Sequence, residues 1–105
     1  MDVITLEALA DERRLAIVEL LADGEKCLCD VSDALDISSA LASHHVKKLR
    51  AAGLVLTDRR GAWLHCRLDP DKLAGLASSL NALANRSSES VAGPCCTAKE
   101  WEADE

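Results

Sequence analysis

The sequence predicts a mainly α-helical domain that carries one β-hairpin. Up to Gly53, apolar residues recur at three- and four-residue spacing, the pattern of helices that bury one face. Directly after Gly53 this period changes, and two short strand-like runs at 54–57 and 62–68 flank a polar turn at 58–61. A chain of 105 residues is one small domain, and so small a domain is expected to complete its core by forming a homodimer.

Two scaffold helices are predicted at the N-terminus. The first covers residues 3–9, and Asp11 then opens the second, which ends at Gly24. The second helix carries a broad apolar stripe made of Leu15, Ile17, Val18, Leu20 and Leu21.

A third and a fourth helix are predicted on either side of a turn at residues 36–38. Ser38 is a suitable N-cap for the fourth helix, and Gly53 is a suitable terminator. Two helices joined by such a tight turn form a helix-turn-helix, whose second helix enters the DNA major groove. With the apolar residues facing inward, the predicted DNA-binding residues of this helix are Ser39, Ser43, His44, Lys47 and Lys48.

The hairpin after this helix is a wing, which makes the predicted fold a winged helix-turn-helix. Arg59 and Arg60 are expected at its turn, against a phosphate backbone. The net charge of −6 argues against DNA binding, but its distribution does not. Residues 43 to 67 hold six basic residues and one acidic residue, a local charge of +5, and the face presented to DNA decides binding.

Cys27 and Cys29 lie where the third helix begins. On a regular helix, residues i and i+2 lie about 200° apart around the axis, so their side chains cannot meet at one ion. At the first, non-helical position they can turn to the same side. A shared ion should therefore distort the first turn of this helix, and the helix N-terminus should lower the thiol pKa values. The alternative is that both are small apolar core residues.

These segments resemble the ArsR/SmtB family of winged-helix, metal-responsive repressors. The resemblance covers roughly residues 5 to 84 and rests on CLCD, on SSALASHHVKKLRAAGLV at 38–55, and on ALADERRLAI at 8–17. It implies a homodimeric repressor that releases operator DNA when it binds an ion. The position of the two thiols resembles that in the family branch that senses arsenite and antimonite, As(III) and Sb(III). That branch has a third cysteine where this chain has Ser32, and a hydroxyl is a poor ligand for a soft ion.

The missing sulfur is expected from the C-terminal tail. The composition changes at Arg86, which predicts a domain over residues 1–86 and a flexible acidic tail over 87–105 that carries Cys95 and Cys96. The stretch between Arg86 and Cys95 spans up to roughly 30 Å, enough for either thiol to reach Cys27 and Cys29 of its own or a partner subunit. One tail thiol would complete a three-sulfur arsenite site, and all four thiolates would suit cadmium, lead or zinc.

The predicted protein is a cytoplasmic, homodimeric repressor that responds to As(III) or Sb(III). Cadmium or lead as inducer is the first alternative, and a thiol redox or persulfide sensor that uses the same cysteines is the second. A last helix is predicted at residues 71–86. The resemblance implies that zinc sensors of this family use Asp and His ligands in that helix, and this chain has no His there, so a zinc sensor of that type is not predicted. No signal peptide, membrane span or set of catalytic residues is recognisable, so neither a membrane partner nor an enzyme is predicted. Cys66 and His45 are expected to be packed residues.

Overall fold

The computed structural model describes residues 2–89, and in this range the chain is mainly helical with a small antiparallel sheet. The elements, in chain order, are α1 (Val3–Leu9), α2 (Glu12–Leu21), β1 (Lys26–Cys27), α3 (Leu28–Leu35), α4 (Ser39–Ala51), β2 (Val55–Arg60), β3 (Trp63–Leu68) and α5 (Pro70–Glu89). The predicted helices and hairpin are therefore confirmed. We call α4 the recognition helix and the β2–β3 hairpin the wing.

Side-chain caps explain why the helices begin where they do. The carboxylate of Asp11 accepts hydrogen bonds from the backbone N–H groups of Arg13 (2.9 Å) and Arg14 (3.1 Å). Ser38 Oγ accepts one from the N–H of Leu41 at 3.1 Å. Each cap satisfies N–H groups that have no partner inside the helix, and each stabilises the fold by about 1 kcal/mol.

The core lies between α2, α3, α4 and the sheet. Its largest fully buried apolar side chains include Ile17, Val31, Leu49, Leu54 and Val55. The recognition helix turns Ala42, Val46 and Leu49 into this core, as its apolar spacing predicted. The opposite face of the helix is thereby left to solvent.

The sheet contains a strand that the sequence did not predict. Lys26 and Cys27 form β1, which pairs with β3, so that the strand order is β1–β3–β2. Cys27 lies opposite His65, and Lys26 lies opposite Cys66. The thiol segment is therefore hydrogen-bonded to the wing as well as joined to α3.

The turn of the wing lies two residues later than expected. Asp58, Arg59 and Arg60 belong to β2, where Arg59 pairs with Leu64 and Arg60 with Trp63. The turn itself is Gly61–Ala62, because Gly61 adopts a φ of 62°, as the first residue of a tight hairpin turn requires. The expectation that both arginines form the turn was wrong, although they remain close to it.

Helix α5 leaves much of its apolar side uncovered. Leu73 packs against the core, but Leu80 and Leu83 are 46% and 43% exposed. On α1, Val3 and Ile4 are 72% and 62% exposed. Each of these two helices thus exposes apolar side chains that the single chain does not bury.

The C-terminal boundary is still a prediction. Helix α5 continues to Glu89, beyond Arg86, and Ser88 Oγ donates a hydrogen bond to the carbonyl of Asn85 at 2.8 Å. The predicted ligands Cys95 and Cys96 lie outside the described residues. In the part that is described, no helix has the length and apolar character needed to cross a membrane.

Candidate thiol site and nucleic-acid interface

The two thiols at the start of α3 lie side by side. Cys27 is the N-cap residue and has an extended backbone, with φ −80° and ψ 155°, whereas Cys29 is inside the first helical turn. The departure from helical geometry at Cys27 brings its side chain beside that of Cys29, close enough to affect the pKa of the Cys29 thiol. Cys29 is exposed and Cys27 is half-buried, so an ion can reach the pair from solvent.

The pKa of the Cys29 thiol is raised above its ordinary value, which makes the expected lowering wrong for this residue. The largest cause is the hydrogen bond with Cys27; burial and the nearby Cys27 and Asp30 charges add to it. The helix N-terminus does favour a thiolate, but a neighbouring thiol that stabilises the protonated form outweighs it here. The proton of Cys29 must therefore leave when an ion binds.

Ser32 does not complete the site. Its side chain is buried, and its Oγ donates a hydrogen bond of 2.9 Å to the carbonyl of Cys29 one turn earlier. The hydroxyl is thus committed to its own helix. Among residues 2–89, no three His, Cys, Asp or Glu side chains are arranged to hold a metal ion. A third ligand for an ion on Cys27 and Cys29 would therefore have to come from outside this range, from a second subunit or from solution.

Cys66 is a packed residue, as expected. It lies on β3 between Lys26 of β1 and Thr57 of β2 and is completely buried. Burial, with smaller contributions from the charges of Cys27 and Glu25, raises the pKa of its thiol to about 11. Cys66 is therefore protonated at neutral pH, which makes it a poor ligand and a poor nucleophile.

A basic groove separates the recognition helix from the wing. Its volume is about 420 Å³, and its lining is Ser43, Val46, Lys47, Arg50, Thr57, Arg59 and Leu64. The lining includes three cationic side chains and no carboxylate. Such a concave, positively charged surface beside a recognition helix suits a phosphate backbone. Arg50 is not among the residues predicted to bind DNA, although its spacing from Ser43 and Lys47 places all three on one helix face.

The remaining predicted DNA-binding residues have different surroundings. Ser39 and His44 are exposed on the recognition helix, whereas His45 beside them is buried. Lys48 is exposed on the other side of the helix, where it lines a second groove with α1. Arg60 is bound by two carboxylates, with Nε 2.9 Å from Asp58 and Nη2 2.8 Å from Glu25.

The family model described as bacterial regulatory protein, arsR family, matches residues 11–57. The arsenical resistance operon repressor of Escherichia coli K12 is 51% identical over 63 residues, which are 59% of this chain and 54% of the repressor. The matching segment thus spans about half of that relative. The arsenical resistance operon repressor of Bacillus subtilis 168 is 33% identical over 92 residues, 86% of this chain and 85% of the repressor.

A solved structure shares the fold. It is the homodimeric winged helix-turn-helix DNA-binding domain of a possible ArsR-family transcriptional regulator from Mycobacterium bovis, solved by NMR in solution. It superposes with a TM-score of 0.66 and 30% sequence identity, over 79% of this chain and 77% of that chain. The winged helix-turn-helix fold predicted from the sequence is therefore confirmed.

Proposed function

Because this chain belongs to the arsR family of bacterial regulatory proteins, we propose that it is a homodimeric repressor that binds operator DNA when ion-free and releases it on binding a soft ion. The observation that carries the proposal is the position of the thiol pair. Cys27 and Cys29 lie at the first turn of α3, the helix that packs against the recognition helix. An ion that changes this turn acts one helix away from the DNA.

The DNA-binding part of the proposal rests on the basic groove. Lys47, Arg50 and Arg59 contact phosphates, while Ser39, Ser43 and His44 face base edges in the major groove. Arg60 and Lys48 contact the backbone at the two margins. Positive charge is concentrated on this face of a chain with a net charge of −6, so DNA is held in one orientation.

Dimerisation is supported by the uncovered apolar side chains of α1 and α5. Val3, Ile4, Leu80 and Leu83 are all more than two-fifths exposed, and an apolar surface of this kind usually marks an interface. A second copy of the chain is the proposed partner, as in the homodimeric M. bovis domain. Two-fold symmetry then presents two recognition helices to two half-sites about one helical turn of DNA apart, or a multiple of that.

The proposed inducer is As(III) or Sb(III), held by Cys27, Cys29 and a tail thiol from Cys95 or Cys96. Trivalent arsenic forms three bonds, and two thiols of this site already lie together. In arsenite, As(OH)₃, each new As–S bond replaces an As–OH bond, and the hydroxide leaves as water with the thiol proton. No net proton is released.

Cadmium or lead is the second candidate, favoured because the two thiols could pair with both tail thiols in a four-sulfur site. A divalent cation releases one proton for each thiol it binds, and the raised pKa of Cys29 makes that release harder as the pH falls. Uptake of cadmium should therefore weaken on acidification, whereas uptake of arsenite should change little. This difference separates the two candidates.

The test is a titration of the protein–DNA complex with arsenite, antimonite, cadmium, lead and zinc, in wild type and in each Cys→Ser variant. The DNA is a duplex selected from a random library by the ion-free protein. We expect Cys27→Ser and Cys29→Ser to bind this duplex normally and to lose the response to the ion. Cys66→Ser, the matched control, should respond like wild type.

One further variant and one further condition complete the test. A Cys95→Ser/Cys96→Ser double variant should respond more weakly, and a normal response would refute the role of the tail. Release by an oxidant without any ion, reversed by a reductant, would favour a thiol redox sensor instead.

A further inference from the structure

Glu25 connects the thiol segment to the wing. It lies two residues before Cys27, and its Oε1 contacts two residues of the wing: Arg60 Nη2 of β2 at 2.8 Å and His65 Nδ1 of β3 at 3.4 Å. His65 is also the residue that pairs with Cys27 across β1 and β3. Backbone pairing and the side chain of Glu25 therefore both join the thiol segment to the wing.

Arg60 has a second carboxylate partner that belongs to the wing alone. Asp58 lies two residues earlier on β2, and its Oδ2 accepts a hydrogen bond from Arg60 Nε at 2.9 Å. A guanidinium has five N–H donors, so Arg60 keeps donors for a phosphate while both carboxylates hold it. Glu25 and Asp58 thus each place one negative charge beside the Arg60 guanidinium, but only Glu25 links that guanidinium to the thiol segment.

We propose that Glu25 is a positioning residue that carries ion occupancy from Cys27 and Cys29 to Arg60 of the wing. This rests on the proposed function. When an ion binds both thiols together with a third ligand from outside residues 2–89, the segment 25–27 changes its path along β3, and the guanidinium held by Glu25 moves with it. The ion then acts on DNA by two routes: through α3 to the recognition helix, and through β1 and Glu25 to the wing.

The Glu25–Arg60 pair suits transmission better than stabilisation. The two side chains are 33% and 54% exposed, and exposed ion pairs add little to folding stability. A contact of this strength can nevertheless change DNA affinity by about twofold in each subunit of the dimer. Loss of the link should therefore reduce the effect of the ion on DNA affinity by about threefold to tenfold.

The experiment compares Glu25→Gln with Asp58→Asn in the full-length dimer. The two variants lose the same charge from the same guanidinium, so in ion-free protein both should bind the selected duplex more tightly, with a similarly steeper salt dependence. The decisive quantity is the ratio of the DNA dissociation constants with and without saturating sodium arsenite, or cadmium chloride if wild type responds only to cadmium. Ion binding itself is followed by thiolate-to-ion absorbance.

We expect the ratio to fall by about threefold to tenfold in Glu25→Gln and to keep its wild-type value in Asp58→Asn, with ion stoichiometry unchanged in both. An unchanged ratio in Glu25→Gln, or equal falls in both variants, would overturn the inference and leave the proposed function standing. A wild-type ratio of one for every ion would overturn both.

Discussion

Arg50 offers a direct test of the basic groove, because it lines the groove but was not among the DNA-binding residues predicted from the sequence. In the variant Arg50→Gln, the side chain keeps much of its length and loses its charge. Arg50 lines the groove with Lys47 and Arg59, where no carboxylate compensates for its charge. If each Arg50 neutralises one phosphate, each dimer loses two such contacts.

The expected magnitude follows from counterion release. Each phosphate contact contributes about 0.9 to the slope of log affinity against log salt, so the slope of the variant should be shallower by about 1.8. Between about 50 and about 200 mM salt, the deficit of the variant relative to wild type should shrink by roughly tenfold. Fluorescence anisotropy with the selected duplex, at five or more salt concentrations, measures both slopes.

The matched control is Arg86→Gln, which removes the same charge from the last turn of α5, outside the groove. Its slope should equal that of wild type. A slope for Arg50→Gln that also equals the wild-type slope would show that the groove does not hold phosphate, and the assignment of Lys47 and Arg59 would then be in doubt as well.

The remaining predictions concern the dimer and the response to acid. Leu83→Asp places a charge on the proposed interface, twice in each dimer, and should weaken dimerisation more than about 100-fold. Sedimentation equilibrium measures this, and the control Leu56→Asp on the wing should leave the dimer unchanged. An unchanged dimer in Leu83→Asp would contradict the α5 interface. Burial lowers the pKa of His45, and the charge of Asp11 partly opposes this. Because His45 binds a proton more readily in the unfolded chain, folding stability is lost as the pH falls below about 6.5. His45→Leu removes two buried ring nitrogens that lack partners among the described residues. The melting temperature of this variant should therefore fall less than that of wild type between about pH 7 and about pH 5. An equally steep fall would refute the role of His45.

Local chemistry made the helices predictable from the sequence. Asp11 and Ser38 cap α2 and α4 by contacts with residues two or three positions away, and the apolar spacing of α4 assigns its buried face. The start of α3 at Cys27 was predictable for the same reason, since the non-helical first position is what lets two thiols at this spacing meet. These features depend on near neighbours.

Features that depend on distant partners were not predictable. Strand β1 has only two residues, and its pairing partners His65 and Cys66 lie far along the chain. Asp58 and the two arginines after it resemble a turn in composition, but the positive φ of Gly61 moves the turn past them. The raised pKa of Cys29 likewise follows from the orientation of a neighbouring thiol, which the spacing of the residues does not specify.

The central claim is that an ion on Cys27 and Cys29 weakens the hold on DNA. The most direct measurement compares the affinity of one selected duplex for the ion-free dimer and for the dimer loaded stoichiometrically with arsenite, at fixed salt and protein concentration. We predict an affinity at least about tenfold lower for the loaded dimer, within the range usual for coupling between two sites. Equal affinities for the loaded and ion-free dimers, with binding of arsenite to both thiols verified, would contradict the claim.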